Sequence, residues 1–197
     1  TQEELAARDP IVLAVGRMVV EKDFRTLIRA FRRVRTPGAR LVILGKGPQR
    51  AMLEREVKRL GLENKVSMPG YSREPWTAYA SARVFALSSI SEPFGNVIVE
   101  AMAYGLPVVA TACSGPLEIL KHGRYGRIVS LSDEVQLAQA IDDALSDPGD
   151  PQQSRKRADM FSFDVRVPSY TALIDEVLKQ GQTCEGKAIG EQLVSSR

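Results

Sequence analysis

The chain has 197 residues, of which 44% are hydrophobic and 26% charged, with a net charge of +3. This is ordinary globular composition, in a chain long enough to bury its own core without staples. The charge is too small to point to nucleic acid, and no apolar run approaches the ~18 residues of a membrane span.

Basic residues crowd the start: residues 1–40 hold eight Arg and one Lys against five acids. Arg25, Arg29, Arg32 and Arg33 read as a solvated helix face or as a surface for an anionic partner or membrane. Short apolar runs follow at Ile11–Val15, Leu41–Leu44, Lys65–Met68, Val84–Leu87, Val108–Ala110 and Arg127–Val129. They are rich in Val, Ile and Leu and most lack polar alternation, as strands buried on both faces do. Helical stretches are predicted between them at 23–35, 48–60, 74–82, 95–104, 115–121 and 133–146. The first places Phe24, Leu27, Ile28, Phe31 and Val34 at helical spacing. Strand and helix alternating six times predict an α/β fold: one Rossmann-like, doubly wound parallel sheet of about six strands. Ligands of such sheets bind beyond the carboxyl ends of the strands.

Ser146–Gln153 is a turn-rich break, followed by helical stretches near 152–161 and 167–180. From Gly181 the chain is polar and aperiodic, so the expected division is a domain at 1–180 and a flexible tail at 181–197. There is no signal-peptide pattern and no initiator Met, and the expectation is an excised domain.

Several motifs fail. Gly45-Lys46-Gly47-Pro48-Gln49-Arg50 has two glycines of the dinucleotide fingerprint but Arg50 in place of the third, which disfavours a nicotinamide enzyme. Gly181 to Ala188 approximates a P-loop but follows a helix and lacks the hydroxyl residue for magnesium. Two distant Cys, Cys113 and Cys184, form no disulfide framework and fit a reducing, cytoplasmic compartment. His122 is the single histidine, which argues against a Cys/His zinc site and a Ser-His-Asp triad. No metal and no cofactor are expected.

The informative segment starts at the end of the run Val84–Leu87 and extends from Ser88 to Pro107. Glu92 falls in a strand-to-helix loop. Gly95 permits close backbone approach, and the amides of Gly95, Asn96 and Val97 open a helix whose dipole favours an anion such as a diphosphate. Glu100 lies in a helix apolar nearly all round, which predicts a buried carboxylate in need of partners. A ribose diol would satisfy it, and so would a buried cation or a cap to a neighbouring loop. Glu92 reads equally well as a loop acid near a helix start.

Glu92 and Glu100, eight apart with Pro-Phe-Gly after the first, resemble the Glu-x7-Glu motif of the retaining glycosyltransferases of family 4, which have the GT-B fold. Other stations match in order: Gly16-Arg17 and Lys22, Gly45-x-Gly47-Pro48, Pro69-Gly70, Gly105-Leu-Pro-Val-Val-Ala-Thr, and Gly115-Pro-Leu-Glu118. The resemblance covers about residues 10–180. It implies the C-terminal, donor-binding half of a GT-B enzyme that moves a hexosyl group from a UDP- or GDP-sugar to an acceptor hydroxyl. By position, Arg17 and Lys22 would hold the diphosphate and Glu92 the sugar hydroxyls, these three being the expected catalytic set. Phe94, Gly95, Asn96 and Val97 would surround sugar and phosphate, and Glu100 would hold the ribose. Gly16, Gly45, Gly47, Ser67, Met68, Pro69 and Gly70 would border the nucleotide, although glycines and prolines are also ordinary turn formers. Gly115 and Glu118 would shape the opposite loop, with Ser114 where the family often has a further glycine. The partners implied are the nucleotide sugar, an amino-terminal acceptor domain absent from this chain, and an acceptor glycan or lipid. A peripheral seat on the inner membrane face stays open. So do a non-catalytic nucleotide-sugar-binding module and an epimerase or phosphorylase of the same fold.

Overall fold

The structure, a computed structural model, describes residues 1–194, and the side chains of all these except residues 169 and 180–194. The chain divides into two compact units, Thr1–Ala158 and Asp159–Arg197. The expected 1–180 domain therefore extends over both.

The first unit opens with α1 (Gln2–Ala6) and contains six strands: β1 (Ile11–Val15), β2 (Arg40–Leu44), β3 (Val66–Gly70), β4 (Val84–Leu87), β5 (Val108–Thr111) and β6 (Arg127–Val129). All pairings are parallel, in the order β3-β2-β1-β4-β5-β6. The predicted sheet is present, with boundaries shifted by a residue or two. The order reverses at β1: the chain builds outward to β3, then returns to place β4 on the other side of β1. The crevice at the carboxyl ends of β1 and β4 is thus the switch point at which doubly wound sheets bind ligands.

Side chains alternate across the sheet. Val12, Ala14, Leu41, Ile43, Val84, Ala86 and Val109 share one core cluster with α2 (Phe24–Phe31), α3 (Arg50–Arg59) and α7 (Glu134–Ser146). Leu13, Phe85, Leu87, Val108 and Ala110 are also buried and point the other way. There α4 (Trp76–Ser81) lies against β1, and α5 (Asn96–Ala103) lies against β4, β5 and α6 (Ser114–Ile119). Burial of all four residues of β4 and of β5 explains their unbroken apolar runs. Asp23 caps α2 by accepting from the Thr26 amide, and Asp133 caps α7 by accepting from Val135 and Gln136.

The predicted break after α7 is the irregular segment 147–150, before α8 (Pro151–Asp159). In the second unit, α9 runs Phe163–Val194 and includes most of the segment in which a tail was expected. Residues 195–197 lie outside the described residues. No helix among the described residues is long and apolar enough to cross a membrane.

The arginines of α2 do more than face solvent. Arg29 donates to the buried Glu56 of α3 at 2.5 Å and to Glu134 at 3.4 Å. Arg59 binds Glu56 through two nitrogens, and Arg25 lies 3.8 Å from it. Hydrogen bonds from Arg59, and then from Arg29, pull the Glu56 carboxyl down to about 2 against the opposing effect of burial. Arg25, Arg32 and Arg33 are exposed.

Candidate active site at the sheet's switch point

The carboxyl ends of β1, β2 and β3 are tied together by backbone hydrogen bonds that continue the ladder into the loops. Gly16 donates to Leu44, Gly45 to Gly70, and Met18 to Lys46, at 2.8–3.0 Å. A side chain at Gly45 would run into the Gly16 carbonyl. Glycine there is demanded by loop-on-loop packing, a more specific reason than a general turn.

Over these loops lies a cleft of about 810 Å³, lined by Gly16, Arg17, Gly45, Lys46, Gly47, Tyr71, Arg73, Trp76 and their neighbours. It collects four of the expected donor residues: Gly16, Arg17, Gly45 and Gly47. It also contains groups that the sequence did not single out. Tyr71 and Trp76 are 68% and 50% exposed, so two large rings stand open beside the cleft. The Lys46 ammonium lies 5.6 Å from the centre of the Tyr71 ring. A pair of aromatics five residues apart, just beyond a strand end, was the available signal.

Ser67 and Met68 are not brought there. Ser67 is the second residue of β3 and lines another cavity with Ile11, Arg40 and Lys65. Three steps along the strand, about 10 Å, separate it from Gly70. Met68 packs on the core cluster, and its carbonyl accepts from Arg50 at 2.8 Å. Pro69 is exposed, and Gly70 serves the cleft through its bond from Gly45.

Beside the cleft, the second group of expected residues meets. Lys22 sits on a short 3-10 turn, Val20–Lys22, before the left-handed Asp23. That turn is clasped to the loop after β4: Ser88 Oγ donates to the Lys22 carbonyl at 2.8 Å, and the Ile90 amide donates to Glu21 at 2.9 Å. From the same loop comes Glu92, and Lys22 Nζ donates to Glu92 Oε2 in a partly buried ion pair. The Lys22 side chain passes over Gly16, within 3.5 Å of where a Cβ would stand, so the pair adjoins the cleft. The loop is held from β5 as well, because Thr111 Oγ1 and Cys113 Sγ both donate to the Ser89 carbonyl, at 2.5 and 2.8 Å. Burial pushes the Cys113 thiol up, so it stays protonated as a donor.

Gly95 opens α5 with φ 107°, a left-handed conformation that glycine adopts at little cost. Among the described residues, the amides of Gly95, Asn96 and Val97 find no acceptor, leaving the helix start open to an anion. Phe94 is exposed beside it. Gly115 packs against the Phe94 backbone and donates to the Glu92 carbonyl at 3.0 Å, fixing the loop from the opposite side. Ser114 and Glu118 are exposed on α6.

The expectation for Glu100 is corrected. It is exposed, and α5 buries only Ile98, Ala101 and Met102. Short apolar residues all round a helix do not require cover all round. The face carrying Asn96, Glu100 and Ala103 stands clear, and the carboxylate needs no buried cation. Its protein partner is Tyr79 of α4, whose hydroxyl donates to Glu100 Oε2 at 2.7 Å.

Comparison with known proteins places this geometry in context. The family model described as "Glycosyl transferases group 1" matches residues 1–160. The chain is 38% identical over 138 residues to the lipopolysaccharide core biosynthesis glycosyltransferase LpsE of Rhizobium meliloti, covering 70% of this chain and 40% of that protein. It is 35% identical over 146 residues to the N-acetylgalactosamine-N,N'-diacetylbacillosaminyl-diphospho-undecaprenol 4-alpha-N-acetylgalactosaminyltransferase of Campylobacter jejuni, covering 74% of this chain and 40% of the other. Among solved structures it is similar to Anabaena HepE in complex with UDP and glucose, with a TM-score of 0.75 at 27% identity, covering 91% of this chain and 50% of that one. Sucrose-phosphate synthase from Thermosynechococcus elongatus gives a TM-score of 0.78 at 30% identity, over 89% of this chain and 47% of the other. The chain thus spans about 40% of the length of these curated relatives. The single six-stranded parallel sheet matches one half of GT-B glycosyltransferases, and the chain belongs to the group 1 glycosyl transferases.

Proposed function

We propose that this chain is the donor-binding domain of a retaining glycosyltransferase that takes a hexosyl group from a UDP- or GDP-sugar. The carrying observation is the Lys22–Glu92 pair at the switch point, flanked by the open amides of α5 and by the 810 Å³ cleft that holds Arg17. Uridine diphosphate and glucose in the similar HepE structure support the same ligand class.

In this reading the diphosphate lies at the start of α5 and is neutralised by Lys22 and Arg17. Two cations and a helix dipole supply the positive field that the departing diphosphate requires. Glu92 turns from Lys22 to the sugar hydroxyls when phosphate takes the ammonium. Glu100 accepts from the ribose diol, and the base lies in the cleft beside Tyr71 and Trp76, whose rings offer stacking faces. The bond from the anomeric carbon to the diphosphate oxygen breaks, and the diphosphate leaves with the electron pair. A bond from the anomeric carbon to the acceptor oxygen forms, and the acceptor hydroxyl gives its proton to the departing diphosphate. The acceptor itself, a glycan or lipid hydroxyl, is the part of the reaction assigned to a second, amino-terminal domain.

A thermal-shift panel of UDP-, GDP- and ADP-sugars tests the reading, because a ligand that binds the folded state raises its melting temperature. Stabilisation by one nucleotide series is expected. No shift with any of them at millimolar concentration would refute a donor site in this chain.

A further inference from the structure

Tyr79 is a buried residue to which nothing above assigns a task. Its ring is held on two sides: it stacks on Tyr104 with centroids 5.6 Å apart at 18°, and it meets Phe85 at 6.0 Å and 35°. These neighbours come from the end of α5 and from β4, so the ring has little freedom to turn. Its hydroxyl ends on Glu100 Oε2 at 2.7 Å. Burial, and then the hydrogen bond to Glu100, push the phenol well above its ordinary value, so it remains a donor throughout the working pH range. Among the described residues, Glu100 Oε1 accepts no hydrogen bond.

We propose that Tyr79 is a positioning residue: it occupies one oxygen of Glu100 and thereby aims the other at the ribose diol of the donor nucleotide. This rests on the donor-site reading given above. An exposed glutamate on a helix ordinarily samples several rotamers, and ordering it on binding costs affinity. A phenol fixed by two aromatic rings removes that cost in advance, because the buried end of the hydrogen bond cannot move. The carboxylate then presents one acceptor in one direction, which suits a diol better than a diphosphate or a base.

The test compares UDP with 2′,3′-dideoxy-UDP by calorimetric titration of the parent chain, Tyr79→Phe, Glu100→Ala and the double variant. The parent should prefer UDP by about tenfold or more, the scale of a hydrogen bond to a charged group. Tyr79→Phe keeps the ring and its stacking and should lower that preference at least about threefold. Adding it to Glu100→Ala should lower the preference no further, since Tyr79 acts through Glu100. A Tyr79→Phe variant that melts earlier yet keeps the full preference for UDP would reduce the contact to a structural one and overturn the proposal. A parent chain that binds both nucleotides equally would remove Glu100 from the diol and the proposal with it, while leaving the diphosphate site standing. A parent chain that binds neither would refute the donor reading itself.

Discussion

Lys22 Nζ and Glu92 Oε2 are joined across the crevice between β1 and β4, although 70 positions separate them in sequence. One residue expected to hold a phosphate and one expected to hold a sugar therefore neutralise each other in the free chain. In the proposed reading, a nucleotide sugar has to open this pair, with the phosphate replacing Glu92 as the partner of Lys22. On that proposal Glu92 competes with the diphosphate for the same ammonium.

This competition has a measurable consequence. Lys22→Ala should weaken UDP binding by roughly 1–3 kcal/mol, the scale of charged hydrogen bonds. Glu92→Gln should leave UDP binding unchanged or strengthen it, while discrimination among UDP-sugars is lost. Titration of both variants with UDP and with two UDP-hexoses reads both effects. Loss of UDP affinity in Glu92→Gln equal to that in Lys22→Ala would show that the pair acts as one structural unit.

Arg17 is exposed on the cleft wall, and no intramolecular bond from its side chain is found among the described residues. Arg17→Ala should therefore keep the melting temperature and weaken UDP by about 1–3 kcal/mol. Uridine, which lacks the phosphates, should bind nearly as before. Equal losses for uridine and UDP would move Arg17 from the diphosphate to the base.

Glu100 is exposed and a glutamine keeps an oxygen that can accept from Tyr79, so Glu100→Gln should change unliganded stability by less than about 1 kcal/mol. It should impair UDP and UDP-sugar alike, because both carry the ribose. A calorimetric scan and a pair of titrations suffice. Unchanged affinity for both ligands would contradict the ribose role.

The Glu56 cluster sets a limit on acid stability. Its carboxyl lies at about 2 in the folded chain against 4.5 as the ordinary value. The folded value is depressed, so the stabilisation is fully present above pH 4.5. It is lost as pH falls from there toward 2, where the folded carboxyl also takes up a proton. The amount is on the order of 2–3 kcal/mol, reduced by the exposure of Arg25 and Arg59. Melting temperature measured from pH 6 to pH 2.5 should fall more steeply for the parent chain than for Glu56→Gln, with the curves converging at the acid end. Parallel curves would show that Glu56 is not the group that titrates.

The six strands, the helix spacing of Phe24, Leu27, Ile28 and Phe31, and the spacing of Glu92 and Glu100 could all be read directly in the sequence. Each is a local property: strand and helix periods are written in neighbouring residues, and a motif is a distance along the chain. The exposure of Glu100 was not legible, because whether an apolar helix is covered all round depends on what packs against it. Ser67 was legible as a strand residue within the run Lys65–Met68, but that it lines a different cavity from Gly45 and Gly47 depends on how the strands pack. Tyr79 and Glu100 lie on different helices, and Lys22 and Glu92 follow different strands. Only the return of the chain from β3 to the far side of β1 brings β4 beside β1 and so joins Lys22 to Glu92. A crossover direction is set by the packing of whole elements, and no pattern within either segment encodes it.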